Sequence, residues 1–149
     1  MSVDEGTKIE ETHDAVKHVT SIFPSDTNLT CTFTAHATAN TWSAWTEIAD
    51  SGATKLSASF ATAPGHITAM GIETLSEVDT IYMIEIGWGA SKTLITSGRF
   101  AGGTKFDSAT EHLRFWAPSF PAGQLIYYRM KTATGVADTC TVHFRYHTH

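Results

Sequence analysis

The pattern of apolar and polar residues changes at about residue 28. From there onward, short stretches rich in Thr, Ile, Val, Phe, Tyr and Trp are separated by turns with Gly, Pro, Asn or Asp. Many stretches alternate apolar and polar residues, which is typical of strands with one face in a core. We therefore predict strands at residues 29–37, 43–49, 54–61, 66–75, 80–87, 92–100, 111–117, 124–132 and 139–148.

This series of strands indicates an all-β fold, an antiparallel β-sandwich. We favour a jelly roll, because eight strands that follow a short arm fit that architecture. An immunoglobulin-type sandwich is the alternative. The chain lacks the Cys…Trp…Cys spacing typical of that fold.

Residues 1–27 have a different pattern and are predicted to be an N-terminal arm, followed by a β-sandwich domain at 28–149. The arm is acidic and almost free of aromatic residues. Ile9, Val16 and Phe23 recur every seven residues, as on one face of a short amphipathic helix. The arm is then either a helical or extended segment on its own domain, or a segment that binds other subunits through these three residues.

The stretch HFRYHTH, residues 143–149, belongs to the last predicted strand. Its apolar face continues from earlier residues and carries Cys140, Val142, Phe144 and Tyr146. Cys31 has a similar apolar position in the first strand. In a jelly roll these two strands are antiparallel neighbours, with the cysteines at opposite ends. We therefore predict two free, buried thiols.

The opposite face of this strand holds alternating polar residues, His143, Arg145, His147 and His149. Histidines at alternate strand positions can chelate a transition metal. A complete site needs further ligands, and none is adjacent in sequence. We therefore predict no metal site within one chain, and a metal site between subunits is the alternative.

The catalytic patterns that we tested are incomplete. Residues 87–93 do not have the spacing of a phosphate-binding loop, and there is no G-x-S-x-G motif. The cupin metal pattern is broken, since Ile126 stands where a histidine would follow Pro121 and Gly123. We predict a non-enzymatic protein without a cofactor, and a cupin-like metal-dependent enzyme is the third-ranked alternative.

Charged residues within predicted strands mark candidate contact positions. Glu85 lies among apolar neighbours, and Arg99 and Arg129 also fall inside strands. Such residues either face solvent or form ion pairs, across strands or across a subunit interface. Together with His143 and His147, they are the predicted candidates for a subunit interface.

Tryptophans raise a second possibility, because flat aromatic rings stack on sugars. Trp88 lies at a predicted turn, and Trp116 precedes a proline-containing loop. Either residue could instead pack in the core. A carbohydrate-binding module, with Trp88 and Trp116 at the glycan site, is the second-ranked function.

Composition narrows the choice of partners. The formal net charge is −5, and the ten Lys and Arg residues are spread thinly, so we expect no nucleic-acid partner. No apolar run has the length of a membrane-spanning helix, so we expect no membrane partner. The acidic N-terminal residues do not resemble a secretion signal, which predicts synthesis in a cytoplasm.

The whole pattern resembles small jelly-roll virion proteins of tailed phages, of the capsid-decoration or head-spike type. The resemblance lies in the acidic arm Met1–Thr27 and the Thr-, Ala- and Gly-rich strand domain after it. FPAGQLIYYRMKT and CTVHFRYHTH resemble the last two strands of such folds. The resemblance implies a non-enzymatic homo-oligomer, with a trimer favoured. It also implies that this oligomer binds a capsid protein, in a virion that is assembled in the host cytoplasm. It supplies no site residues.

Overall fold

The structure is a computed structural model that describes residues 20–103, 112–114 and 118–149, with no side-chain description for 112–114. The strands in these ranges are β1 Ser21–Phe23, β2 Cys31–Thr34, β3 Thr46–Glu47, β4 Gly65–Leu75, β5 Ile81–Trp88, β6 Thr93–Ala101, β7 His112–Arg114, β8 Ile126–Thr132 and β9 Thr139–Thr148. A 3₁₀ helix spans Leu56–Phe60. None of the helices in these ranges has the length and apolar character needed to cross a membrane.

The strands pair antiparallel in two sheets, which confirms the predicted all-β sandwich class. Sheet A has the order β1-β9-β4-β7, and β2 also pairs with β9. Sheet B has the order β3-β8-β5-β6. The predicted antiparallel contact between the first and last strands of the sandwich is present as the β2–β9 pair.

The core forms where the alternating apolar faces of the two sheets meet. On β9, Val142 and Phe144 are fully buried, and on β5 so is Tyr82. The Phe33 ring stacks on Tyr128 with centroids 3.9 Å apart, which joins sheet A to sheet B. Burial of these apolar side chains is the main favourable term that holds the sheets together.

One strand prediction is wrong. Residues 54–61 contain the 3₁₀ helix Leu56–Phe60 instead of a strand. Leu56 and Phe60, at the two ends of this helix, are both fully buried. A short apolar stretch of this kind fits a helical turn as well as a strand, so the β-forming composition does not decide the local structure here.

The last part of the predicted arm joins the sandwich. Ser21–Phe23 pairs with Tyr146–Phe144 of β9, and Phe23 is only 4% exposed, within the core. Phe23 thus lies in a strand and contacts its own domain. Ile9 and Val16, the other members of the seven-residue repeat, lie outside the described residues.

Candidate functional site

The outer face of sheet B brings together three of the five predicted interface residues. Glu85 on β5 lies opposite Arg129 on β8, and Arg99 on β6 lies opposite Met83 on β5. Strand alternation explains this arrangement, because Tyr82 and the alternate residues after it point inward. The three charged side chains therefore share one outward surface.

Glu85 and Arg129 form a cross-strand ion pair, one of the possibilities that the sequence left open. Nε of Arg129 donates to Oε1 of Glu85 at 2.6 Å, and Nη2 lies 2.5 Å from the same oxygen. The Arg129 side chain is 31% exposed and the Glu85 side chain is 17% exposed. Charge-assisted hydrogen bonds of this kind fix the guanidinium in one orientation.

Two tryptophans from the loop before β3 cover the same guanidinium. The Arg129 Cζ lies 4.6 Å from the Trp42 ring centroid and 4.8 Å from that of Trp45. Lys131 Nζ also lies 4.8 Å from the Trp42 ring. Cations at these distances are attracted to the faces of aromatic rings.

We name this surface the Trp–Arg face. It consists of Trp42, Trp45, Glu85, Arg99, Arg129 and Lys131. It carries three cationic side chains and one carboxylate on a chain whose net charge is −5. Arg99 and Lys131 also line a shallow groove of about 280 Å³ beside Met83.

The second cluster lies on sheet A and contains three histidines. His147 on β9 lies opposite His66 on β4, and His149 follows the end of β9. Nδ1 of His66 lies 3.1 Å from Nε2 of His147 and 2.6 Å from Nε2 of His149. One potential ligand atom from each residue lies within 4.8 Å of the others. The third histidine, which the sequence pattern lacked, is thus His66.

The backbone around Gly65 positions this cluster. The His149 N–H donates to the Pro64 carbonyl at 2.9 Å, which holds residue 149 beside the start of β4. Gly65 lies against Phe60, and a Cβ at Gly65 would lie 2.2 Å from that ring. The absence of a side chain at Gly65 therefore lets the Phe60 ring pack directly against the start of β4.

His143, another interface candidate, lies apart from the cluster on the same strand. Its ring covers Gly71, where a Cβ would lie 2.1 Å from His143 Cε1. It also borders an open groove with Glu73 and Tyr146. Two of the predicted interface residues, His143 and His147, therefore lie on sheet A, whereas the Trp–Arg face lies on sheet B.

The tryptophans of the carbohydrate hypothesis differ in what the structure shows. Trp88 ends β5 and packs against the hydrophobic core, so only part of its ring is exposed. Trp116 lies outside the described residues. Trp88 thus has a packing role, and a sugar-stacking role for the two tryptophans stays a prediction.

Both cysteines are free and buried, as predicted. Cys31 lies opposite Val142, so the cysteines are diagonal neighbours and are closer than the expected opposite ends, because β2 has only four residues. Burial, followed by the charges of Asp50 and Glu73, raises the pKa of Cys31 to about 12. Burial also raises the pKa of Cys140. Such thiols stay protonated at neutral pH and are poor nucleophiles.

No protein-family model, curated protein or solved structure matches this chain. The two surface clusters and the strand topology are therefore the features that bear on its function.

Proposed function

We propose that this protein is a non-enzymatic structural module with a jelly-roll fold, which assembles into a homo-oligomer on a virion. The observation that carries the binding function is the Trp–Arg face. The order of the strands supports the fold, and the acidic N-terminal sequence supports the choice of partner.

The nested pairing of the strands supports the jelly-roll proposal. Along the sequence, the paired strands β5 and β6 are enclosed by the pair β4–β7, then by the pair β3–β8 and finally by the pair β2–β9. A long hairpin of eight strands, wrapped into two sheets, produces this order. Jelly rolls are frequent in viral capsid proteins, which supports the virion hypothesis. They also occur in lectins and cupins, so the choice among these functions rests on the surface.

The Trp–Arg face has the composition of a protein-binding surface. Trp and Arg are enriched in the residues that contribute most to binding energy. The Arg129 guanidinium is already held by Glu85 and two tryptophan rings. A side chain ordered in advance loses less conformational entropy when a partner binds.

The partner that we propose for this face is the acidic segment 1–19 of a second copy of the chain. This segment contains Asp4, Glu5, Glu10, Glu11 and Asp14 against only two lysines. Arg99 is exposed and has no ion-pair partner among the residues that the structure describes. Opposite charges on the segment and the face favour this pairing and fix its register. Ile9 and Val16 would supply its apolar contacts.

The test is size-exclusion chromatography with light scattering on the full chain and three variants. The full chain is expected as an oligomer, with a trimer as the proposed form. Deletion of residues 2–19, or the double change Arg99→Glu and Lys131→Glu, is expected to give the monomer because each removes one side of the charge pairing.

Arg145→Glu is the matched control. Arg145 is exposed on the outer face of sheet A, and the substitution reverses the same charge at a strand position. This variant is expected to stay oligomeric. A monomeric full chain, or an oligomer that survives the Arg99→Glu and Lys131→Glu changes, would refute the proposal.

A further inference from the structure

We propose that His66, His147 and His149 form a binding site for one divalent transition-metal ion, with zinc as the preferred ion. The site is independent of the oligomer proposal, because it lies on sheet A and the Trp–Arg face lies on sheet B.

The two nitrogen separations at His66 are somewhat shorter than those around a tetrahedral ion. Zinc–nitrogen bonds of about 2.0–2.1 Å place neighbouring ligand nitrogens about 3.3 Å apart in a tetrahedron. The two distances from Nδ1 of His66 are 3.1 Å and 2.6 Å. All three ligand atoms lie within 4.8 Å of one another, so the proposed site requires the His147 and His149 side chains to rotate until the three separations become equal.

The chemistry of the imidazoles also favours an ion over mutual hydrogen bonding. Nδ1 of His66 faces Nε2 of both other rings at once. An imidazole nitrogen has either one proton or one lone pair, so a single Nδ1 cannot make two full hydrogen bonds to these nitrogens. A metal ion accepts one lone pair from each ring and thus satisfies the converging nitrogens together.

The fold holds the ligands before any ion binds. His66 and His147 are paired residues of neighbouring strands, and the Pro64 carbonyl fixes the backbone of His149. Imidazole ligands suit zinc, copper and nickel better than magnesium or calcium. His149 is exposed, which leaves room for water in a fourth position of the coordination shell.

The test is isothermal titration of zinc chloride into the metal-stripped full chain, made without a histidine tag. We expect one ion per chain. His149→Ala removes a ligand from an exposed position without loss of core packing. It should weaken binding by more than about 100-fold, since even the loss of outer partners of metal ligands costs about 10–100-fold. His66→Ala should have the same effect.

His143→Ala is the matched control, because His143 is on the same strand as His147 but outside the cluster. It should bind zinc like the unaltered chain. Thermal unfolding supplies a second measurement, since an ion that binds only the folded state raises Tm. Zinc should raise Tm of the unaltered chain and of His143→Ala, but not of His149→Ala. The absence of uptake by the unaltered chain, or uptake retained by His149→Ala, would refute the site.

Discussion

Arg129 illustrates how individual residues define the outer face of sheet B. It pairs with Glu85, and its guanidinium lies beside the rings of Trp42 and Trp45. Sequence patterning could place Glu85 and Arg129 within strands, but it could not show that they face each other. That requires the register between β5 and β8, which depends on the packing of both strands.

Replacement of Arg129 tests the energetic role of this contact. Arg129→Ala should lower the free energy of unfolding by about 1–2 kcal/mol, because a partly exposed ion pair and its cation–π contacts are each worth about 1 kcal/mol or less. Arg129→Lys should recover only part of this, since an ammonium lacks the planar fork of the guanidinium. Urea unfolding measures both changes. If Arg129→Ala and Arg145→Ala, the latter at an exposed position, lowered the free energy of unfolding equally, the stabilising role of the Arg129 contacts would be contradicted.

The cysteines give a second prediction at this scale. At pH 8 both thiols should react with a disulfide reagent far more slowly in the folded chain than in denaturant. The free energy of unfolding should also fall as pH rises from about 9 towards 12. The sign follows because the unfolded Cys31 loses its proton near 9, whereas the folded thiol keeps it until about 12.

A variant with Cys31→Ala and Cys140→Ala controls for other groups that titrate in this range. Its free energy of unfolding should depend less steeply on pH above 9. Rapid labelling of the folded chain at pH 8 would contradict the burial of both thiols.

At the scale of elements, the bounds of the long strands were predictable from the sequence, whereas short strands such as β2 and β3 were predicted at the right place but too long. Alternation over 66–75 and 139–148 matches β4 and β9 within one residue. The strand prediction for residues 54–61 is wrong because a short apolar stretch fits a helical turn as well as a strand. The histidine cluster was missed because His66 and His147 are far apart in sequence and meet only through the register of β4 and β9.

Gly65 tests how tightly the start of β4 packs. Gly65→Ala should lower the free energy of unfolding by about 1–3 kcal/mol, because the added methyl would overlap the buried Phe60 ring. Gly103→Ala is the control, since a Cβ there meets nothing within 4 Å among the described residues. Chemical denaturation measures both variants. If the two substitutions had equal effects, close packing at Gly65 would be excluded.

At the scale of the whole molecule, the sequence predicted the all-β sandwich and the contact between its first and last strands. The nested strand order supports the jelly-roll proposal, but patterning alone does not specify which strands are neighbours. The positive Trp–Arg face could not be read from a net charge of −5, because it depends on which side chains share a surface. The proposed assembly links this face to the acidic segment of a second copy.

The mass of the full chain in solution tests this assembly most directly. Sedimentation equilibrium at low ionic strength should give about three times the 16.2 kDa mass of one chain. Added salt should favour dissociation, because screening weakens contacts between exposed charges. A mass of 16.2 kDa at every protein concentration would contradict the account.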